Sequence, residues 1–227
     1  MRTYFCVALL FAFLSGTALS QRCLGHETFR RSSFHFGGGI DADKYAQTWG
    51  VDLRYGKAGV FGIAEAALKT WGAETFDDES QELGAAVGVA FSRDEMSRWS
   101  VCPMVSYRTL DGPGKSPSTI IPPNYHENVL AGSVSVGYLL SLAESWEIVP
   151  TLSLEMGTTN PTMTESIYTK PAVKTFCCGE RGFTTITTGV GLTLGRAATI
   201  LPSVAIPLDK AGEVVYRFHV EIALGRD

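Results

Sequence analysis

Arg217, His219 and Glu221 recur at every second position of the last apolar-polar stretch, Tyr216 to Leu224. Side chains of an extended strand alternate between two faces, so these three share one. A histidine beside a carboxylate can serve as base and orienter in hydrolysis. The same three residues form an ion-pair ladder if that face looks into a closed lumen. His35, near the start of the series, belongs to the same kind of face and is expected to approach His219 if first and last strands meet.

Other chemical motifs do not complete. Gly112-Pro113-Gly114-Lys115-Ser116 contains a GKS, but a phosphate loop needs glycine where Thr109 stands. His126-Glu127 begins a zinc-protease pattern that ends on Leu130 instead of histidine. Asn160 precedes Pro161, so it is no glycosylation acceptor. No cofactor and no metal site is expected.

Cysteines outside the N-terminal apolar run are Cys23, Cys102, Cys177 and Cys178, which allow three pairings. Cys177 and Cys178 are adjacent and cannot bridge each other without backbone strain. The pair lacks CxxC spacing and a nearby histidine, so Cys177 and Cys178 read as free thiols or as a possible loop disulfide, not as a metal site.

The elements that position these residues have period two. In Asn128 to Leu140, Leu130, Gly132, Val134, Val136, Tyr138 and Leu140 share a face, against Ala131, Ser133, Ser135 and Gly137. Trp99 to Arg108, Trp146 to Met156 and Tyr216 to Leu224 repeat the pattern. Phe34 to Ile40, Trp49 to Tyr55, Val60 to Leu68, Leu83 to Phe91, Thr184 to Leu194 and Ala198 to Ile206 bring the strands to ten. Val60 to Leu68 is rich enough in alanine to tolerate a helix, but Gly62 and its brevity favour a strand.

Connections alternate in length. Gly56 to Gly59, Ser92 to Arg98, Ser141 to Ser145 and Gly195 to Ala197 are short. Lys69 to Gln81, Thr109 to Glu127 and Gly157 to Gly182 are long, and Asp41 to Thr48 and Pro207 to Val214 are modest. A transmembrane barrel has short turns on its periplasmic side and long loops outside, whereas a soluble sandwich has no reason for the separation. The polar faces carry Asp52, Arg54, Arg108, Glu147, Glu155, Arg217, His219 and Glu221, which are expected to point inward and pair. Trp49, Tyr55, Phe91, Trp99, Tyr107, Tyr138, Trp146 and Tyr216 begin or end apolar faces, where interfacial girdles belong.

Met1-Arg2, the apolar run Phe5 to Leu14 and the small-x-small Ala18-Leu19-Ser20 read as a secretory signal peptide over residues 1–20. The run is shorter than the ~20 residues of a membrane helix. A short segment, 21–33, then precedes a barrel domain, 34–227. The net charge of -4 gives no nucleic-acid footprint.

In these features the chain resembles the small bacterial outer-membrane β-barrels, porin-like and OmpA-like, over residues 34–225. The resemblance is one of pattern. It departs at the end, where Gly225-Arg226-Asp227 follows the last strand instead of an aromatic terminus. It implies an all-β, closed antiparallel up-and-down barrel of ten strands, with eight as the alternative. It also implies outer-membrane lipid and the barrel-assembly machinery as partners, and a monomer. Some such barrels are hydrolases. Lipid A deacylases work at the lipid-facing surface, however, whereas Arg217, His219 and Glu221 would face the lumen, so a structural ion-pair role is favoured. Tyr125, Tyr168 and Phe176 in the long loops are the candidates for binding an external ligand. The function expected is a narrow, filled barrel with a structural or surface-interaction role. The alternatives are a narrow channel, a barrel hydrolase acting on lipid or peptide, or a soluble exported carrier.

Overall fold

A strand with one apolar and one polar face has two ways to satisfy both. It can pack its apolar face on a core, or close into a barrel with the polar face inside and lipid outside. A computed structural model describes residues 25, 33–44, 46–57, 59–71, 79–92, 98–113, 124–143, 146–165, 174–177, 180–194, 198–209 and 212–224. Residues 1–20, read from the sequence as a signal peptide, lie outside that set.

The strands are β1 (Ser33–Ala42), β2 (Ala46–Lys57), β3 (Val60–Trp71), β4 (Glu79–Val89), β5 (Trp99–Pro113) and β6 (Asn124–Tyr138). They continue as β7 (Leu140–Ala143), β8 (Trp146–Glu165), β9 (Lys174–Cys177), β10 (Arg181–Leu194), β11 (Ala198–Pro207) and β12 (Val215–Leu224). All pairings are antiparallel between chain neighbours, and β12 pairs with β1 to close the sheet. β7 prolongs the lane of β6 beyond Leu139, and β9 prolongs that of β10 against the outer part of β8. The result is a closed, ten-stranded, up-and-down antiparallel barrel.

The strands outrun their apolar stretches at the long-loop end. β5 reaches Pro113, β6 starts at Asn124 and β8 reaches Glu165. Gly157 to Glu165, expected as loop, is strand, with Gly157 to Thr164 paired to Asn124 to Ala131. The expected loop Thr109 to Glu127 likewise loses both flanks to β5 and β6. A neighbour's backbone groups, not side-chain polarity, decide pairing there, because strand edges in a closed sheet find partners on both sides.

The outer face is apolar and uncovered. Phe36, Val51, Leu53, Leu83, Val87, Val105, Leu130, Val134, Leu152, Leu154, Met156, Phe218 and Ile222 are all exposed. They stand on adjacent strands and form a belt far larger than the few hundred Å² of apolar patch that a water-soluble monomer shows. Trp99 and Tyr107 mark its two edges on β5 and are both exposed outward. At a rise of ~3.3 Å per residue and a tilt of ~40°, the stretch between them is roughly 20 Å tall, close to the lipid-facing band of outer-membrane barrels. Trp99 packs at a tilt against Tyr138 across the β5–β6 pair at 4.5 Å between ring centres, and Phe34 likewise against Tyr55 at 4.6 Å. Trp49, Trp146 and Tyr216 are likewise exposed on the outer face. Phe91 lies just past β4, bridged to Val101, and is only half-exposed.

Candidate functional site in the barrel lumen

The polar faces meet inside the barrel. On β1, Gly37 and Gly39 occupy inward positions opposite Asp52 on β2 and Glu221 and His219 on β12. A side chain at Gly37 would collide with His219 Nε2 and Asp52 Oδ1, and one at Gly39 with the Phe218 carbonyl and the His219 ring. These two glycines open the space in which charged groups from three strands converge.

Arg54 is the centre of that group. Its Nε lies 2.6 Å from Asp52 Oδ2 and its Nη1 2.7 Å from Glu221 Oε2. Its Nη2 lies 3.1 Å from His219 Nε2, which is itself 3.1 Å from Asp52 Oδ1. His35 Nδ1 sits 2.7 Å from Glu221 Oε1. Each histidine thus sits on a carboxylate, His35 on Glu221 and His219 on Asp52. Asp52, Glu221 and His35 are buried. Arginine suits this position because its rigid fork can satisfy two carboxylates at once.

A second group spans the other wall. Arg108 on β5 lies 3.1 Å from Glu155 on β8 and 3.5 Å from Glu82 on β4. Glu65 on β3 reaches over Gly84, whose missing side chain leaves it room. Near the long-loop end, Arg217 Nε lies 3.1 Å from Asp41 Oδ2. Glu147 on β8 is half-buried close to the short-turn end. Among the eight inward charges expected from the pattern, Asp52, Arg54, His219 and Glu221 form one cluster. Arg108 and Glu155 form another. Arg217 pairs with Asp41, and Glu147 lies nearer the short turns. Asp41, Glu65, Lys69 and Glu82 also face the lumen, and alternation within β1, β3 and β4 was the available signal for them.

Above the Arg54 cluster, toward the long loops, lies a cavity of about 330 Å³. Its walls include Asp41, Asp43, Asp52, Glu65, Lys69, Glu82, Arg108, Arg217 and His219. Toward the short turns the lumen changes character. Phe61, Ala90 and Cys102 are buried together, with Ile63 and Met104 packed against them. A side chain at Gly88 would strike the Phe61 ring. Val149 is fully buried, and the hydroxyls of Thr193 and Thr199 bond each other at 3.0 Å. The lumen is thus polar and hollow at one end, ion-paired in the middle and packed at the other.

A separate polar chain stands on the outer wall above the apolar belt. Tyr107 Oη donates to Asn128 Oδ1 at 2.7 Å, Asn128 Nδ2 lies 3.0 Å from His126 Nε2, and His126 Nδ1 lies 2.5 Å from Asp111 Oδ1. Both ring nitrogens of His126 are engaged. Thr162 Oγ1, the nearby hydroxyl, donates to the His126 carbonyl at 3.2 Å instead of facing the ring. Among the described residues, that arrangement holds a base and an orienter without a positioned nucleophile. Among the described residues no three metal-ligating side chains cluster.

The loop candidates fall at the margin of the described structure. Tyr125 belongs to β6 and Phe176 to β9 by backbone, and their side chains lie outside the described residues. Tyr168 and Cys178 lie outside them altogether, as does the side chain of Cys177.

Comparison with protein families and with curated proteins finds no match. Solved structures do match. The β domain of the Bordetella autotransporter BrkA covers 86% of this chain with all of its own, at 9% identity and a TM-score of 0.50. The transport unit of the autotransporter AIDA-I from Escherichia coli covers 87% of this chain with 91% of its own, at 11% identity and a TM-score of 0.39. Ail, the attachment invasion locus protein of Yersinia pestis, covers 87% with all of its own, at 11% identity and a TM-score of 0.34. The chain has the fold of the bacterial outer-membrane β-barrels.

Proposed function

We propose that this protein resides in the bacterial outer membrane as a barrel with a closed, narrow lumen. Its role is structural or one of surface interaction through its long loops, not solute passage or hydrolysis. The observation that carries the reading is the filling of the lumen's lower half. The Arg54 cluster ties β1, β2 and β12, and Phe61 with Ile63, Cys102 and Met104 packs the interior below it. An eight-stranded barrel is nearly filled by its own side chains, and ten strands widen it only moderately. In this reading the periplasmic side is that of the short turns, and the polar cavity opens toward the cell surface. Lipid surrounds the apolar belt, assembly goes through the barrel-assembly machinery, and the barrel works as a monomer.

Purified protein reconstituted in planar bilayers is expected to show no stable discrete openings. Any residual leak is expected to prefer cations. Asp41, Asp52, Glu65, Glu82, Glu155 and Glu221 outnumber Arg54, Lys69, Arg108 and Arg217 on the inner wall, and a lining of one excess sign raises the local concentration of its counter-ion. Stable single-channel steps would instead make the protein a small-solute channel.

A further inference from the structure

The lipid-facing wall is not evenly filled. A groove of about 640 Å³ runs across β1 to β4 in its long-loop half, beside the seam where β12 closes on β1. Strand pairing explains the shape. Gly38 and Ala66 stand in one outward row with Val51 between them, flanked by Val220 and Leu83. The two small residues make dips, and the flanking side chains, both exposed, make walls. In the next row toward the long loops Trp49 pairs with Leu68, and Leu68 with Gln81. The groove is therefore apolar along its length and ends at an exposed amide.

Polar groups begin where the groove ends. Gln81 pairs with Asp111 on β5, and Leu83 with Thr109. Side chains directly opposite on one sheet face lie about 5 Å apart. Asp111 belongs to the outer-wall chain that runs through His126 and Asn128 to Tyr107. Tyr107 marks the upper edge of the apolar belt, so this chain stands at the height of lipid headgroups. Groove and polar patch are continuous with the belt, and what fills them comes from the bilayer.

The chemistry of the patch selects a headgroup. Tyr107 donates to Asn128 Oδ1, which turns Asn128 Nδ2 toward His126 Nε2. The His126 ring then accepts at Nε2, donates to Asp111 at Nδ1, and is neutral. Asp111 is 62% exposed. Among the described residues that face outward on β4, β5 and β6, none is lysine or arginine. A phosphate would meet the Asp111 charge with no cation to offset it. Hydroxyl groups would donate to that carboxylate, and charge-assisted bonds of this kind are the stronger ones.

We propose that β1 to β6 carry a lipid site on the outer wall, with one acyl chain in the groove and the hydroxyls of a sugar headgroup on Gln81 and Asp111. The ligand is an acylated sugar. The site rests on the outer-membrane reading above, which puts the long-loop end in the outer leaflet, and not on whether the lumen conducts.

Native mass spectrometry of the full-length protein tests it. The barrel is purified in a detergent without a sugar headgroup. It is offered monoglucosyl diacylglycerol and phosphatidylglycerol with the same chains, in equal amounts. The expected result is one glucosyl lipid retained per barrel, about tenfold over phosphatidylglycerol, the factor one hydrogen bond to a charged group supplies. Ala66→Leu fills the groove floor from the lipid side and is expected to lower retention of both lipids. Asp111→Ala, above the belt, is expected to remove the preference and leave phosphatidylglycerol retention unchanged. Heat-modifiable migration checks that each variant is folded. Equal retention of the two lipids by the parent, preference for phosphatidylglycerol, or a lipid-free dimer would overturn the site. Unchanged retention in folded Ala66→Leu would overturn the placement of the chain in the groove. Each of these failures leaves the protein in the outer membrane. Discrete channel openings would instead remove the closed-lumen reading and leave the lipid site intact.

Discussion

Replacing Arg54 with methionine is expected to lower the unfolding free energy by about 3–5 kcal/mol, the usual cost of removing one partner from a buried ion pair. The estimate rests on what stays behind. Asp52 and Glu221 are buried, and Arg54 is their common cation at 2.6 and 2.7 Å. Without it two carboxylates face each other across β1 with His35 and His219 beside them. Desolvated like charges cost far more than the arginine gains by pairing. The triple variant D52N/R54M/E221Q removes the stranded charges along with the cation, and most of the loss is expected to return. Urea titrations of folding into lipid vesicles measure both. An R54M midpoint equal to that of the parent would show that water reaches the cluster freely and that it does not seal the lumen.

A charge on the outer wall should be costly in a depth-dependent way. Val134 faces outward on β6, midway between the level of Tyr138 and that of Leu130, which pairs with Tyr107. Its cross-strand neighbours Pro103 and Leu154 are apolar and exposed. Arginine at Val134 is expected to cost about 2–4 kcal/mol of folding stability in vesicles, and arginine at Leu130 only about 0–1 kcal/mol, because the headgroup region is within reach there. Equal costs at the two positions would mean that the belt does not sit in a bilayer as its girdles suggest.

How much of this was legible in the sequence differs from one residue group to another. Alternation in Asn128 to Leu140 and Trp146 to Met156 gave both the strands and their inward faces, because a lipid-facing side must be apolar at every second residue. The same logic failed at Gly157-Thr158-Thr159-Asn160-Pro161-Thr162. Those residues stand above the apolar belt, where neither face must be greasy, and pairing with β6 on one side and with β10 and β9 on the other holds them in the sheet. The inward charges could be named, but not who meets whom. Pairing of Arg54 with Glu221 depends on the closure register of β1 with β12, which no local pattern encodes. Nothing local sets Gly37 and Gly39 apart from other strand glycines; it is that register that faces them with Asp52 and His219. His126 fits a zinc-protease motif only in part by sequence, while its contact with Asp111 lies across a strand pair and has no sequence spacing to announce it.

The central claim is that this chain is a closed barrel embedded in the outer membrane. Fractionation of cell envelopes, followed by gel electrophoresis of boiled and unboiled samples, tests it most directly. The account predicts recovery with the outer membrane and a faster-migrating band in the unboiled lane that converts to the full-size band on heating. Recovery in the soluble periplasmic fraction, with identical migration in both lanes, would contradict it.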